Sequence, residues 1–239
     1  MKLKTKDLLT LAELTPKEFL GLIDESIKLK KELKGKGNKP VLKNKTLTMI
    51  FQKPSTRTRV SFEAGMYQLG GHAINLSSDD MQLSRGESIE DTAKTLSRYT
   101  NCIMARVYDH ELLEKLSEHS SVPVINGLSD TFHPCQILAD FMTIKEKKKK
   151  LKGLKITWIG DGNNVCNSMI YGAALSGVKI SIATPKGFEP NKTIVKDAKK
   201  LTTVELTTDP FVAVKNADVV VSDTFSSIHN LDKKRLKKF

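Results

Sequence analysis

The chain has 239 residues, with 39 Lys and Arg against 27 Asp and Glu, a formal net charge of +12. At 39% hydrophobic residues, 8 Pro and 14 Gly, it has an ordinary globular composition, which excludes a largely disordered chain. It is long enough for one large or two small domains and for a sizeable core. It has no apolar run of the roughly 18 residues that a membrane span needs, and Met1 to Lys6 is basic without an apolar stretch or a small-residue cleavage site, unlike a secretory signal. A cytoplasmic protein is expected. The three cysteines, Cys102, Cys135 and Cys166, are far apart. They have neither the even count of a disulfide framework nor the C-x-x-C spacing of a zinc site, and they fit a reducing compartment. The positive excess sits mainly in 145–155 and in Lys233, Lys234, Arg235, Lys237 and Lys238, and aromatics do not interleave with it. It reads as a solvated lysine-rich surface that steers small anions, not as a nucleic-acid platform.

In chain order, Thr15-Pro16-Lys17-Glu18 opens a helix. Thr15 can cap, Pro16 suits the first helical position and Glu18 closes a capping box, while Phe19, Ile23 and Ile27 form one apolar face. Thr46 to Phe51 reads as a strand, about Arg57 to Leu69 as a helix stopped by Gly70-Gly71, and Ala73 to Leu76 as a strand. Ser88 to Tyr99 reads as a helix, Cys102 to Ala105 and Val122 to Asn126 as strands, and about Pro134 to Lys149 as a helix. A second series follows: strand Lys155 to Ile159, a glycine turn and a helix to about Ser176, and strand Lys179 to Ala183. Then come helix Asn191 to Leu201, strand Val204 to Leu206, a short helix Pro210 to Asn216 and strand Asp218 to Ser222. Alternating strands and helices predict an α/β chain of two doubly wound parallel-sheet domains, 1–145 and 146–239, with an active-site cleft between them. Ligands in such folds bind at the carboxyl ends of the strands.

Ser55-Thr56-Arg57-Thr58-Arg59 carries three hydroxyls and two guanidiniums where an apolar strand gives way to a helix. Unpaired helix N–H groups, a positive dipole end and planar guanidinium forks suit a phosphate; a plain N-cap at Ser55 with surface arginines is the bland reading. Arg106 should sit at the carboxyl end of its strand, either as a cleft residue or in a surface ion pair with Asp109 or Glu111. His133-Pro134-Cys135-Gln136 holds an imidazole at a helix N-terminus, where the dipole favours the neutral form; a simple cap or core histidine is the alternative.

Together these pieces resemble the carbamoyltransferases: the S-T-R-T-R run, Arg106 and His133-Pro134-x-Gln136 stand in that family's order and spacing. The resemblance covers essentially the whole chain. It is nearest to the ornithine-specific branch in the loop Asp80 to Ile89 with Gln82, in H-P-C-Q, in Gly160-Asp161-Gly162-Asn163-Asn164 and in Ser222-Asp223-Thr224. It implies that Ser55, Thr56, Arg57 and Thr58 bind the phosphate of carbamoyl phosphate, and that Arg106, His133 and Gln136 hold the carbamoyl group. Thr58, Arg106 and His133 would stabilise the oxyanion catalytically. Gln82 would reach into a neighbouring subunit's site in a homotrimer or a multiple of trimers. Asn164, Asp223, Ser227 and Ile228 would hold ornithine. The resemblance implies no cofactor and no metal, two small-molecule substrates, and no nucleic-acid or membrane partner.

Two departures stand out. The family pattern runs on to an H-C-L-P motif and a further Arg beyond Phe239, so 146–239 reads as an incomplete ornithine-binding domain. A chain ending there is expected to bind carbamoyl phosphate but to turn over ornithine poorly. Ser227-Ile228-His229 also stands where the family has S-M-G. The rival readings are a carbamoyltransferase using aspartate or putrescine, a non-catalytic relative, and a dinucleotide-binding oxidoreductase. The last rests on Gly160-x-Gly162 alone, without the third glycine or the acidic residue about 20 positions on.

Overall fold

The computed structural model describes residues 3–77 and 81–224. These form two compact units, one comprising residues 21–135 with the N-terminal segment through Leu14, the other residues 15–20 and everything from Gln136 on. The chain passes between units three times, just before α1 (Pro16–Lys34), within α1 and within α5 (Pro134–Lys148).

The first unit holds strands β1 (Thr46–Phe51), β2 (His72–Ser77), β3 (Cys102–Arg106) and β4 (Val124–Leu128). They form one parallel sheet in the order β2-β1-β3-β4. Helices α2 (Thr56–Gln68), α3 (Ile89–Tyr99) and α4 (His110–His119) make the crossovers. A parallel sheet needs helical crossovers that cover its faces, so central strands are apolar throughout instead of alternating. β1 obeys this: Leu47 to Phe51 are all buried. The edge strand β2 alternates exposed and half-buried residues over His72 to Asn75.

The second unit repeats the plan. Strands β5 (Lys155–Ile159), β6 (Lys179–Ala183), β7 (Val204–Thr207) and β8 (Val219–Ser222) pair in parallel in the order β7-β6-β5-β8. Helices α6 (Asn164–Ser176), α7 (Lys192–Ala198) and α8 (Pro210–Val214) connect them. Trp158 on β5 is fully buried at its centre. The first turn of α1 belongs here: Phe19 meets Phe141 of α5 edge-to-face at 5.4 Å. The capping box at its start is formed, with Thr15 N and Oγ1 donating to Glu18 Oε2 at 2.9 and 2.7 Å and Glu18 N returning to Thr15 Oγ1 at 3.3 Å.

The two-sheet α/β class follows the expectation. Two details differ. β4 starts two residues after Val122, because Pro123 has no N–H to give a ladder, and it runs on through Gly127. Helix α4 was not anticipated. It is capped by Asp109, which accepts from Glu111 N at 2.9 Å, and it buries Leu113 and Leu116.

Candidate functional site

In a parallel sheet all strands point one way, so the loops that follow them share one edge. In the first unit the chain runs outward from β1 to β2 and then returns to the other side of β1 as β3. The winding therefore reverses between β1 and β3, and adjacent loops diverge there to leave a crevice. The S-T-R-T-R run follows β1, Arg106 ends β3 opposite Phe51, and His133 follows β4. All three motifs thus reach the same edge.

Ser55 is the N-cap of α2, with extended backbone (φ −154°, ψ 104°), and its hydroxyl accepts from Thr58 N at 3.4 Å. The bland expectation of a cap at Ser55 therefore holds, but more is built on it. Ser55 Oγ also donates to Thr58 Oγ1 at 3.0 Å, and Arg106 Nη1 donates to that same oxygen at 3.2 Å. A hydroxyl has two lone pairs and one hydrogen. Both lone pairs of Thr58 are taken, so its hydrogen is left to donate outward to a bound oxygen. The early N–H groups of α2 lack helical partners by construction and add to the donor set.

Arg106 is half-buried, and its Nε is buried without a hydrogen-bond partner. Neither Asp109 nor Glu111 takes it: Asp109 caps α4, and Glu111 pairs with Lys115 at 2.8 Å. Burial lowers the guanidinium pKa from its ordinary value. Arg57 is exposed and makes no ion pair among the described residues, whereas Arg59 is drawn back along the helix to Glu63 at 2.9 Å. Only one of the two guanidiniums in the run is thus uncommitted.

Gln52, which sequence reading passed over, ties the two strand ends together. Its backbone N–H donates to Arg106 O at 2.9 Å, and its Oε1 accepts from Tyr108 N at 2.9 Å. Lys53 adds a cation–π contact, its Nζ lying 4.2 Å from the Tyr108 ring centroid. The loop before His133 is braced as well. Ser129 N donates to Phe132 O at 2.9 Å, and His110 packs edge-on against Phe132 at 5.0 Å while its Nδ1 meets Ser129 Oγ at 2.9 Å. Burial lowers the His110 pKa, against the raising influence of the nearby Glu114, Asp130, Glu13 and Asp109 carboxylates.

The second sheet reverses its winding between β5 and β8. Asn163 follows β5 and Asp223 follows β8, and Asn163 Nδ2 donates to Asp223 Oδ2 at 3.0 Å. Asn164 is the first residue of α6, and its Oδ1 accepts from Val165 N at 3.0 Å. Gly162 explains the glycine turn without a dinucleotide: a Cβ there would lie 2.3 Å from Pro190 N and 2.5 Å from Glu189 C. Its N–H donates to Phe188 O at 2.8 Å. The glycine serves a close approach of two backbones.

Gln136 lies in the first turn of α5, exposed, with Nε2 donating to Asp140 Oδ1 at 2.9 Å. Asp140 has a raised pKa, chiefly from burial and further from the Asp223 carboxylate, against the lowering effect of the Gln136 hydrogen bond. Gln82 is exposed at the start of a short 3₁₀ turn (Gln82–Arg85). Ser227 and Ile228 lie outside the described residues. Among the described residues no group of three or more His, Cys, Asp and Glu could hold a metal ion, and no helix is long and apolar enough to cross a membrane.

Comparison with known proteins matches both units to one family. Residues 6–146 match the carbamoyl-P binding domain of the aspartate/ornithine carbamoyltransferases, and residues 152–239 match their Asp/Orn binding domain. The chain is 60% identical over 239 residues to an ornithine carbamoyltransferase of Cenarchaeum symbiosum, covering 100% of this chain and 79% of that protein. It is 49% identical over 237 residues to one of Methanosarcina acetivorans, covering 98% of this chain and 78% of that protein. Among solved structures, the ornithine carbamoyltransferase of Pyrococcus furiosus superposes with a TM-score of 0.95 at 46% identity, covering 100% of this chain and 79% of that one. The anabolic ornithine carbamoyltransferase of Campylobacter jejuni gives 0.90 at 42%, covering 98% and 78%.

Proposed function

The chain belongs to the aspartate/ornithine carbamoyltransferase family, and from that premise we propose that it transfers the carbamoyl group of carbamoyl phosphate to the side-chain amine of L-ornithine, giving L-citrulline and phosphate in arginine biosynthesis. The observation that carries this reading is the set Ser55, Thr58 and Arg106. Thr58 and Arg106, 48 positions apart, are hydrogen-bonded where β1 and β3 end, which leaves the Thr58 hydroxyl hydrogen to donate elsewhere beside a partnerless buried Nε–H. That is a donor array waiting for an oxyanion.

In this reading 1–145 is the carbamoyl-phosphate domain and 146–239 the ornithine domain, a division supported by the two family matches. The phosphate sits at the N-terminus of α2 against Ser55, Thr56, Arg57 and Thr58. The carbamoyl oxygen takes hydrogen bonds from Thr58, Arg106 and His133, and Gln136 serves the carbamoyl group. Asn164 and Asp223, with Ser227 and Ile228, hold the amino-acid end of ornithine. The neutral amine attacks the carbonyl carbon and a C–N bond forms. Negative charge collects on the oxygen of the tetrahedral intermediate, the C–O bond to phosphate breaks, and the amine proton passes to the departing phosphate. Donors already fixed in place stabilise that charge without reorganising, and each is worth about 10²–10³ in rate. No residue of the described set needs to act as a strong base.

The assembly in this proposal is a homotrimer or a multiple of trimers, with Gln82 serving the neighbouring subunit's phosphate; its exposure on the 3₁₀ turn supports that assignment. The proposal places the enzyme in the cytoplasm, where Cys102, Cys135 and Cys166 remain the free thiols seen here.

Citrulline formation from ornithine and carbamoyl phosphate tests the reading. Ureido product from aspartate or putrescine instead would transfer it to a sister enzyme. Carbamoyl phosphate bound with no product from any amine would make the chain a non-catalytic relative.

A further inference from the structure

We infer that Asn163 is a positioning residue for the ornithine site, holding the Asp223 carboxylate in the orientation that receives the substrate's α-ammonium group. The inference rests on the function proposed above and adds a residue to it.

Asn163 is the N-cap of α6. Its Oδ1 accepts from Val165 N at 3.0 Å and from Cys166 N at 3.1 Å. A side-chain amide has one acceptor end and one donor end. Val165 N is shared with Asn164 Oδ1 at 3.0 Å, but a flip of the Asn163 amide would strand Cys166 N and turn an NH₂ group against two N–H donors. Its NH₂ group is therefore fixed on the opposite side, where Nδ2 donates to Asp223 Oδ2 at 3.0 Å, 60 positions further along the chain. The other Asp223 oxygen, Oδ1, accepts from Thr224 N at 2.8 Å. Each carboxylate oxygen thus has one fixed donor, and each keeps a lone pair for an incoming cation.

The place of the contact matters as much as its length. Asn163 follows β5 and Asp223 follows β8, the two strands between which the second sheet reverses its winding. One amide therefore links helix capping to the aim of a carboxylate across the crevice position of the sheet. Asp140 adds a second carboxylate in the same neighbourhood, since its pKa is raised partly by Asp223. Two nearby carboxylates that repel each other need a donor to keep one of them aimed, and Asn163 supplies it.

Capping alone would give Asn163 the same two bonds to α6, so the test must separate the roles. Asp and Ser cap helices about as well as Asn. Asn163→Asp keeps the cap but replaces the NH₂ donor with a third carboxylate oxygen pair facing Asp223. Asn163→Ser keeps the cap, lacks the reach and adds no charge. Steady-state kinetics of the intact enzyme are read for each substrate separately, alongside thermal unfolding. For both variants the expected result is a rise in the KM for ornithine of ten- to a hundredfold, the scale of a lost hydrogen bond to a charged group, with the KM for carbamoyl phosphate unchanged and the unfolding temperature held. An unchanged ornithine KM in Asn163→Asp overturns the inference and leaves a cap only. A rise in Asn163→Asp with none in Asn163→Ser also overturns it, because the effect is then introduced repulsion and not a lost donor. Equal rises in both KM values with a lowered unfolding temperature mean that the unit is damaged, and overturn it too. If the unaltered enzyme forms no citrulline, the proposed function itself fails.

Discussion

Replacing Arg106 by methionine should separate function from stability. The guanidinium is half-buried, makes one side-chain hydrogen bond, to Thr58 Oγ1 at 3.2 Å, and leaves its Nε unmatched. Its loss removes one hydrogen bond from a charged donor, worth about 1.5 kcal/mol at the low end of its class because the site is only half-buried, and also removes the desolvation of a charge that burial already disfavours. These terms oppose each other. The backbone bond from Gln52 N to Arg106 O at 2.9 Å survives the change. A chain of this size shifts by about 2–4 °C per kcal/mol, so the unfolding temperature should move by less than about 4 °C in either direction. The turnover number should fall by about 10²–10³, the scale of one preorganised oxyanion donor. The assay is citrulline formation at saturating concentrations of both substrates, with scanning calorimetry on the same preparation. A turnover number within about threefold of the original, far short of the loss of one such donor, refutes the role of Arg106. A fall in unfolding temperature of about 10 °C, well beyond the loss of one hydrogen bond, refutes the reasoning about its burial.

Gly162→Ala should destabilise the protein, because its Cβ would lie 2.3 Å from Pro190 N and 2.6 Å from Phe188 O, backbone atoms that cannot swing aside. A cost of about 1–3 kcal/mol is expected for such overpacking, read as a lower midpoint in urea unfolding; an unchanged midpoint contradicts the close approach. Burial pushes the Cys102 thiol up to about 11 and Cys135 up to about 12, and raises Cys166 well above its ordinary value. A raised thiol pKa means less thiolate at a given pH. Alkylation by iodoacetamide at pH 8 should therefore be at least about a hundredfold slower in the folded protein than in urea. Any one thiol labelled at the unfolded rate would contradict that burial.

The phosphate cradle was legible because it breaks a local rule. A central strand buried from Leu47 to Phe51 is followed by a dense cluster of donors in which Arg59 alone pairs with a carboxylate nearby in sequence, Glu63. The strands were legible for a related reason, since β-branched and apolar runs between glycine or polar turns leave few alternatives. Helix α4 carries a cap at Asp109 and an apolar face at Leu113 and Leu116, but Asp109 and Glu111 read equally well as ion-pair partners for Arg106, which masks the cap. The roles of Gln52 and Asn163 were not legible. Each depends on which strands lie side by side, β1 with β3 and β5 with β8, and sequence order alone does not give that. The packing role of Gly162 was not legible either, because a glycine after a strand has the same appearance whether it admits a pyrophosphate or a neighbouring backbone.

The central claim is that the N-terminus of α2 grips the phosphate. Calorimetric titration of carbamoyl phosphate into the enzyme and into Arg57→Gln tests it directly, because Arg57 is exposed and makes no ion pair among the described residues, so its loss should spare the fold. The account predicts a dissociation constant at least about tenfold weaker in the variant, the scale of a charge-assisted contact to phosphate. An unchanged dissociation constant would mean that the phosphate is held elsewhere.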